Sequence, residues 1–240
     1  MKELKGLTVI MVGGTGGMGS ATALNFAKHG MNICVCGRSQ EKLDKLEAQL
    51  KEQGVGTYFK SVDLADVEGV KAFVNESVDK FGSADILINF AGLSLNAGIG
   101  ELTEEQWDAV LNANLKGIFF STQAFANRVD AAKGGLVINF SSMASLRPGG
   151  GNVAYTAAKG AVRTMTEFFA NQFKAKNIKC TTMSPGPAAT TFFAGRKTEE
   201  QMKGFLRAED IAELLEYVVL RSDRIVFHEL QLDSYAFFNK

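Results

Sequence analysis

Leu7-Thr8-Val9-Ile10-Met11-Val12-Gly13-Gly14-Thr15-Gly16-Gly17-Met18-Gly19 begins as a β-branched apolar run and ends in a cluster of glycines. A helical pattern, Ser20–His29, follows directly. Strand, glycine-rich turn and helix N-terminus together form a phosphate-binding arrangement. Glycines let the backbone approach a pyrophosphate, and the free N–H groups of the first helical turn face the anion. The spacing Gly13-x3-Gly17-x-Gly19 differs from the Gly-x-Gly-x-x-Gly dinucleotide fingerprint. On its own the cluster is also compatible with a tight strand-to-helix turn. Its position after the first strand favours the phosphate reading.

Outward from this unit the chain alternates between two periodicities. Strand-like runs are Thr8–Val12, Asn32–Cys36, Thr57–Val62, Ile86–Phe90, Leu136–Phe140, Lys179–Met183 and Ile225–Leu232. Helical segments fall near Ser20–His29, Gln40–Gln53, Val67–Phe81, Glu104–Ala132, Val153–Lys176 and Glu209–Leu220. Strictly alternating strands and helices predict an α/β fold, a parallel sheet covered on both faces. Thr103-Glu104-Glu105-Gln106 reads as a capping box, with Thr103 as N-cap. In a doubly wound order, ligands bind at the carboxyl ends of the strands.

A second constellation lies in Ser141-Ser142-Met143 and Ala154-Tyr155-Thr156-Ala157-Ala158-Lys159. Residues four apart on a helix share a face, so the Tyr155 phenol and the Lys159 ammonium reach one small volume. A free phenol, with a pKa of about 10, is a poor acid or base near neutrality. A neighbouring cation is expected to lower that pKa. Ser142 ends an apolar strand that carries its hydroxyl to the sheet edge. Together the three groups suit polarisation of a carbonyl and transfer of one proton, which implies a hydride donor.

With these motifs in hand, the chain resembles the short-chain dehydrogenase/reductase family along nearly its whole length. The turn Gly13-x3-Gly17-x-Gly19 resembles that family's cofactor loop, although Val12 stands where Thr is usual. Asp63-Leu64 is similar to its adenine-contacting pair. Asn89-Phe90-Ala91-Gly92 resembles Asn-Asn-Ala-Gly, with Phe90 replacing the second Asn. Asn114, in Asn112-Ala113-Asn114-Leu115, matches the helix asparagine of the catalytic tetrad that Ser142, Tyr155 and Lys159 complete. Ser184-Pro185-Gly186-Pro187-Ala188-Ala189-Thr190 resembles the segment that closes over the nicotinamide.

The resemblance implies one Rossmann-type doubly wound domain spanning residues 1–240, with about seven strands and a substrate loop at about 190–206. It implies cofactor contacts from Gly13, Thr15, Gly16, Gly17, Met18, Gly19, Arg38, Ser39, Asp63, Leu64, Asn89, Ala91, Gly92, Tyr155, Lys159, Pro185, Gly186, Ala188 and Thr190. It further implies hydride transfer between nicotinamide and a ketone or secondary alcohol. Tyr155 would be the acid/base, Lys159 would hold the nicotinamide ribose, and Asn114 would anchor a water. A 3-oxoacyl-acyl-carrier-protein reductase is the alternative, with Lys133, Lys174 and Lys176 as docking cations. A non-catalytic NADP(H)-binding sensor is the alternative of another class.

Cofactor choice is read at the end of the second strand. A carboxylate there binds the ribose 2′-hydroxyl of NAD and repels a 2′-phosphate. This chain has Cys36-Gly37-Arg38-Ser39 instead. Arg38 pairs with a phosphate by charge-assisted bonds and Ser39 adds a hydroxyl, which favours NADP(H) over NAD(H).

Bulk properties set the remaining expectations. The 26 basic residues balance the 26 acidic ones, which argues against a nucleic-acid or anionic-membrane partner. No apolar run reaches transmembrane length, and the start Met-Lys-Glu-Leu-Lys lacks a signal peptide's apolar core. Three cysteines, Cys34, Cys36 and Cys180, offer no disulfide framework or metal set and point to a cytoplasmic setting. His29 and His228 have no partner visible in the sequence. Phe119, Phe120, Phe168, Phe169 and Phe173, spread over two long helices, suggest a face buried against a second copy, hence a homodimer or homotetramer.

Overall fold

The computed structural model describes residues 3–95, 97–148 and 152–238. Seven parallel strands form one sheet: β1 (Thr8–Val12), β2 (Asn32–Gly37), β3 (Thr57–Ser61), β4 (Ile86–Asn89), β5 (Gly135–Phe140), β6 (Ile178–Pro185) and β7 (Glu229–Leu232). Their spatial order is β3-β2-β1-β4-β5-β6-β7, so the winding reverses between β1 and β4. Ligand crevices open at such a reversal, on the carboxyl edge.

Alternation along the strands divides the core in two. Val9 and Met11 of β1, with Ile33 and Val35 of β2, face a layer built by α1 (Gly17–Ala27), α2 (Gln40–Lys51) and the C-terminal helix Ala208–Val219. Ile10, Val12, Cys34 and Cys36 face the opposite layer, made by α3 (Val67–Phe81), Gly117–Arg128 and Val153–Gln172. Both sets are fully buried. That is the cause of the near-continuous apolar runs: a parallel sheet with two covered faces leaves no polar side. Val12, in the place of the usual Thr, is one of these buried side chains.

Several boundaries differ from the sequence expectation for local reasons. The segment expected as one helix over Glu104–Ala132 is α4 (Glu104–Leu111), a π-helical turn (Asn112–Lys116) and α5 (Gly117–Arg128). Thr103 and Gln106 form the expected capping box. The next helix, α6 (Val153–Gln172), stops short of Lys176. A 3-10 turn follows, and Asn177 then takes a left-handed φ of 55°, a conformation Asn tolerates. The last strand shrinks from Ile225–Leu232 to Glu229–Leu232. Ile225 and Val226 stand 44 % and 45 % exposed.

His29 does have a partner. Its Nε2 lies 2.7 Å from Glu216 Oε1, and Asn25 Nδ2 donates to Glu216 Oε2 at 2.6 Å, joining α1 to the C-terminal helix. Between β6 and that helix run a 3-10 turn (Thr191–Phe193) and α7 (Glu199–Met202), so the helix Ala208–Val219 is α8. A bridge between Ala188 and Leu206 closes this loop at its base.

Candidate active site

The turn after β1 is a backbone device. Gly13 has φ +74°, and a Cβ on it would stand 3.2 Å from the Ala91 amide. The Gly13 and Gly14 amides both donate to Cys36 O, at 3.0 and 3.1 Å. A Cβ on Gly19 would fall 2.4 Å from Gly14 O, so only glycine lets α1 start this close to the turn. Gly16 caps α1 without a side chain, and nothing lies within 4 Å of where its Cβ would be. The open space and the free α1 amides fit a pyrophosphate.

This turn forms one wall of a cavity of about 880 Å³ at the carboxyl edge of the sheet. Thr15, Gly16, Gly17, Met18, Gly19, Arg38, Asp63, Leu64, Ala91 and Gly92 line one end. Ser142, Tyr155, Lys159, Pro185, Gly186, Ala188 and Thr190 line the other, and Gly13 lies on the wall as well. Two residues expected at the ligand do not line the cavity. Ser39 is the N-cap of α2, its hydroxyl accepting from Lys42 N at 3.3 Å, and it does not line the cavity. Lys42, one helical turn along, does line it, and its place near Arg38 was not read from the sequence.

Asn89 is the second displaced residue. Fully buried behind the cavity, it donates to Asn139 Oδ1 (2.7 Å) and Thr122 Oγ1 (3.3 Å) and accepts from Ser121 (2.7 Å). Asn139 passes the chain on to Thr166 at 3.0 Å. This satisfied polar ladder ties β4 and β5 to α5 and α6. Asn114, expected to anchor a water, is not on the lining either. It sits in the π turn with its Nδ2 donating to Leu93 O (2.7 Å) and Val110 O (2.9 Å), and its Oδ1 accepts from Leu93 N (3.2 Å). Its side chain therefore clamps the backbone that follows Gly92. Irregular π turns of this kind occur often at functional sites.

The reacting groups converge from three elements. β5 ends so that Ser142, extended at φ −164°, presents its hydroxyl to Tyr155 on the first turn of α6. Asn152 caps α6 through Oδ1, which accepts from Tyr155 N at 3.1 Å. Lys159, 1 % exposed, donates to Ala91 O at 2.6 Å and Phe140 O at 2.8 Å. Burial pulls its ammonium down to about 7, and the two carbonyl acceptors favour the protonated form.

Here the structure corrects the sequence argument on one cause. Burial pushes the Tyr155 phenol above its usual value; the Ser142 hydrogen bond and the Arg196 charge pull it down. Lys159 is committed to two carbonyls, with its ammonium 5.6 Å from the ring centroid. Arg196 comes from the loop after β6, a residue that sequence reasoning did not single out. Phe90, the departure from Asn, packs its ring 4.6 Å from that of Phe140, and its difference from the usual pattern is one of packing.

The short chain dehydrogenase family model matches residues 7–201. The chain belongs to the short-chain dehydrogenase/reductase family. Members are oxidoreductases that use a nicotinamide cofactor and act on CH–OH and C=O groups. The chain is 34 % identical over 186 residues to a 3-oxoacyl-acyl-carrier-protein reductase of Thermotoga maritima, covering 77 % of this chain and 75 % of that one. An uncharacterized oxidoreductase of Staphylococcus epidermidis is 27 % identical over 232 residues, 97 % and 99 % of the two chains. Among solved structures, an alcohol dehydrogenase of Thermococcus sibiricus complexed with 5-hydroxy-NADP superposes with a TM-score of 0.87 at 26 % identity, covering 95 % and 97 %. As members of this family, the cavity residues fit a dinucleotide: a backbone cradle, an acid at Asp63 and cations at Arg38 and Lys42.

Proposed function

We propose that this protein is an NADP(H)-dependent oxidoreductase interconverting a ketone and a secondary alcohol, with Tyr155 as the proton donor and acceptor. The observation that supports it best is the meeting of Ser142 and Tyr155 at the cavity wall, one helical turn from Lys159. When bound, the reduced nicotinamide supplies a hydride to the carbonyl carbon. Ser142 holds the carbonyl oxygen and stabilises charge as it forms. Tyr155 gives that oxygen its proton. Its phenol, raised by burial, keeps the proton at neutral pH, as an acid in the reductive direction must. Lys159, anchored by Ala91 and Phe140, holds the nicotinamide ribose with its remaining donor, while Asn114 fixes the backbone at Leu93.

NADP(H) is favoured by the strand end. A Cβ at Gly37 would lie 2.5 Å from Thr15 Oγ1, so a carboxylate there requires the Thr15 side chain to move. Arg38 and Lys42 stand ready for a 2′-phosphate, and the Thermococcus sibiricus relative was solved with an NADP derivative. The Thermotoga maritima relative supports the 3-oxoacyl-acyl-carrier-protein reductase alternative. NADPH oxidation with simple ketones, α-diketones and 3-oxoacyl thioesters separates these readings. No turnover with any of them would leave only a cofactor-binding role.

A homodimer or homotetramer is part of the same proposal. Most of the phenylalanines that suggested it are used internally: Phe169 is 4 % exposed and lies 5.8 Å from Phe119 and 5.3 Å from Phe173. Phe168 alone of that group is exposed, at 62 %, on the outer face of α6. Light scattering at micromolar concentration should give a mass of at least twice 25.9 kDa, falling to one chain in Phe168→Asp. A persistent monomer in the wild type contradicts it. Three buried thiols, each raised by burial to about 12, suit a reducing, cytoplasmic setting. No helix among the described residues is long and apolar enough to cross a membrane.

A further inference from the structure

The substrate end of the cavity carries donors that the chemistry above leaves unused. Arg196 lays its guanidinium 4.6 Å from the Phe192 ring centroid and 5.5 Å from that of Phe193, and donates to Phe192 O. Stacking of this kind holds the plane in place and leaves donors of the fork for a planar anion. Lys197 lines the same wall. No carboxylate among the described residues pairs with either cation.

Asn152 provides an independent observation. It is 2 % exposed and lines the cavity. Its Oδ1 accepts from Tyr155 N, which fixes the orientation of the amide. Its Nδ2 is left buried without a hydrogen-bond partner among the described residues. A buried unpaired donor costs about 1–3 kcal/mol, a cost that a bound acceptor removes.

The charge of the whole cavity points the same way. Among the described residues its single carboxylate is Asp63, at the nucleotide end and accepting from Ala65 N at 2.9 Å. The substrate end therefore offers Arg196, Lys197 and an orphan amide donor, beside Phe90, Leu93 and Phe192, and no acid.

We propose that the substrate is an oxo-acid, a ketone bearing a carboxylate next to an apolar body, with Arg196 and Asn152 Nδ2 holding the carboxylate and Arg196 setting specificity. The proposal rests on the oxidoreductase reading for its ketone. A neutral ketone leaves Asn152 Nδ2 and the remaining donors of the Arg196 fork without an acceptor; a carboxylate supplies one.

The test uses benzoylformate and its methyl ester on the full chain. With NADPH, kcat/KM for the acid should exceed that for the ester at least about tenfold, equivalent to one good charge-assisted bond. In Arg196→Met that ratio should fall about 10- to 100-fold, mainly through KM for the acid, with Arg196→Lys between the two. Asn152→Ser keeps an oxygen to cap α6 and replaces the amide donor with a shorter hydroxyl, so it should lower the ratio by a smaller factor. Binding is read separately, as fluorescence of NADPH bound to Tyr155→Phe: the acid should bind more tightly than the ester, and adding Arg196→Met should abolish the difference.

Equal binding of acid and ester, unmoved by Arg196→Met, overturns the proposal. So does a rise in the NADPH dissociation constant in Arg196→Met with the acid-to-ester ratio intact, which assigns Arg196 to the cofactor. Selective, Arg196-dependent binding of the acid without reduction of any carbonyl keeps the carboxylate site and rejects the oxidoreductase reading instead.

Discussion

The glycine turn at 13–19 and the loop at 190–206 face each other across one cavity, yet they are built from opposite materials. The turn is a backbone device: it offers amides and carbonyls rather than side chains, and added Cβ atoms collide with Ala91, Gly14 O or Thr190. The loop works through side chains: Phe192, Phe193 and Arg196 stack on one another, and Phe193 packs 5.1 Å from Phe205. They touch at one point, where a Cβ on Gly17 would meet Thr190 Cγ2 at 2.7 Å. Backbone recognition suits a ligand shared by a whole family, because the peptide group does not vary between members. Side-chain recognition is free to change with the substrate.

The sharpest break in that comparison is expected at Ser142, which belongs to the reacting end. Ser142→Ala should lower kcat by about 10²–10³ with little change in NADPH affinity. A loss of NADPH binding of comparable size would mean that the two ends are not separable. Arg38→Asp should act in the opposite sense. It removes a cation and adds a repulsive charge at the nucleotide end, so the NADPH-to-NADH ratio of kcat/KM should fall about 10- to 100-fold. The acid-to-ester preference at the other end should not follow it. Equal use of both cofactors by the wild type, unaltered in the variant, would remove the basis for NADP(H).

Gly19→Ala probes the backbone device itself. With its new Cβ only 2.4 Å from Gly14 O, the turn must open, at a cost of about 1–3 kcal/mol measured by denaturant unfolding. Gly16→Ala, where nothing lies within 4 Å, should leave stability nearly unchanged. Equal stability for both variants would contradict the packing argument.

The fold was legible because its causes are local and repetitive. The apolar runs of β1 and β2, the glycine cluster and the Thr103 capping box each carry their signal within a few residues. The long helical pattern near Glu104–Ala132 hid a π turn, because what surrounds Asn114 includes the backbone of Leu93, 21 positions away. Tyr155 and Lys159 were readable as a helical pair, but the commitment of Lys159 to Ala91 and Phe140 was not, since those carbonyls come from the ends of β4 and β5. Asn152 is an ordinary N-cap in sequence, and its orphan Nδ2 exists only in the packed site. Lys42 and Arg196 belong to no motif in the sequence, and only the packed sheet and loop bring them to the cavity.

The central claim is that Tyr155 moves the proton while the glycine turn holds the cofactor. Tyr155→Phe tests it with two readings on one sample: NADPH affinity from fluorescence titration and turnover of the best carbonyl substrate. The account predicts affinity within a few-fold of wild type and turnover reduced by about 10²–10⁴, the range for a lost general acid. Near-native turnover in Tyr155→Phe, with NADPH bound as tightly as before, would contradict it.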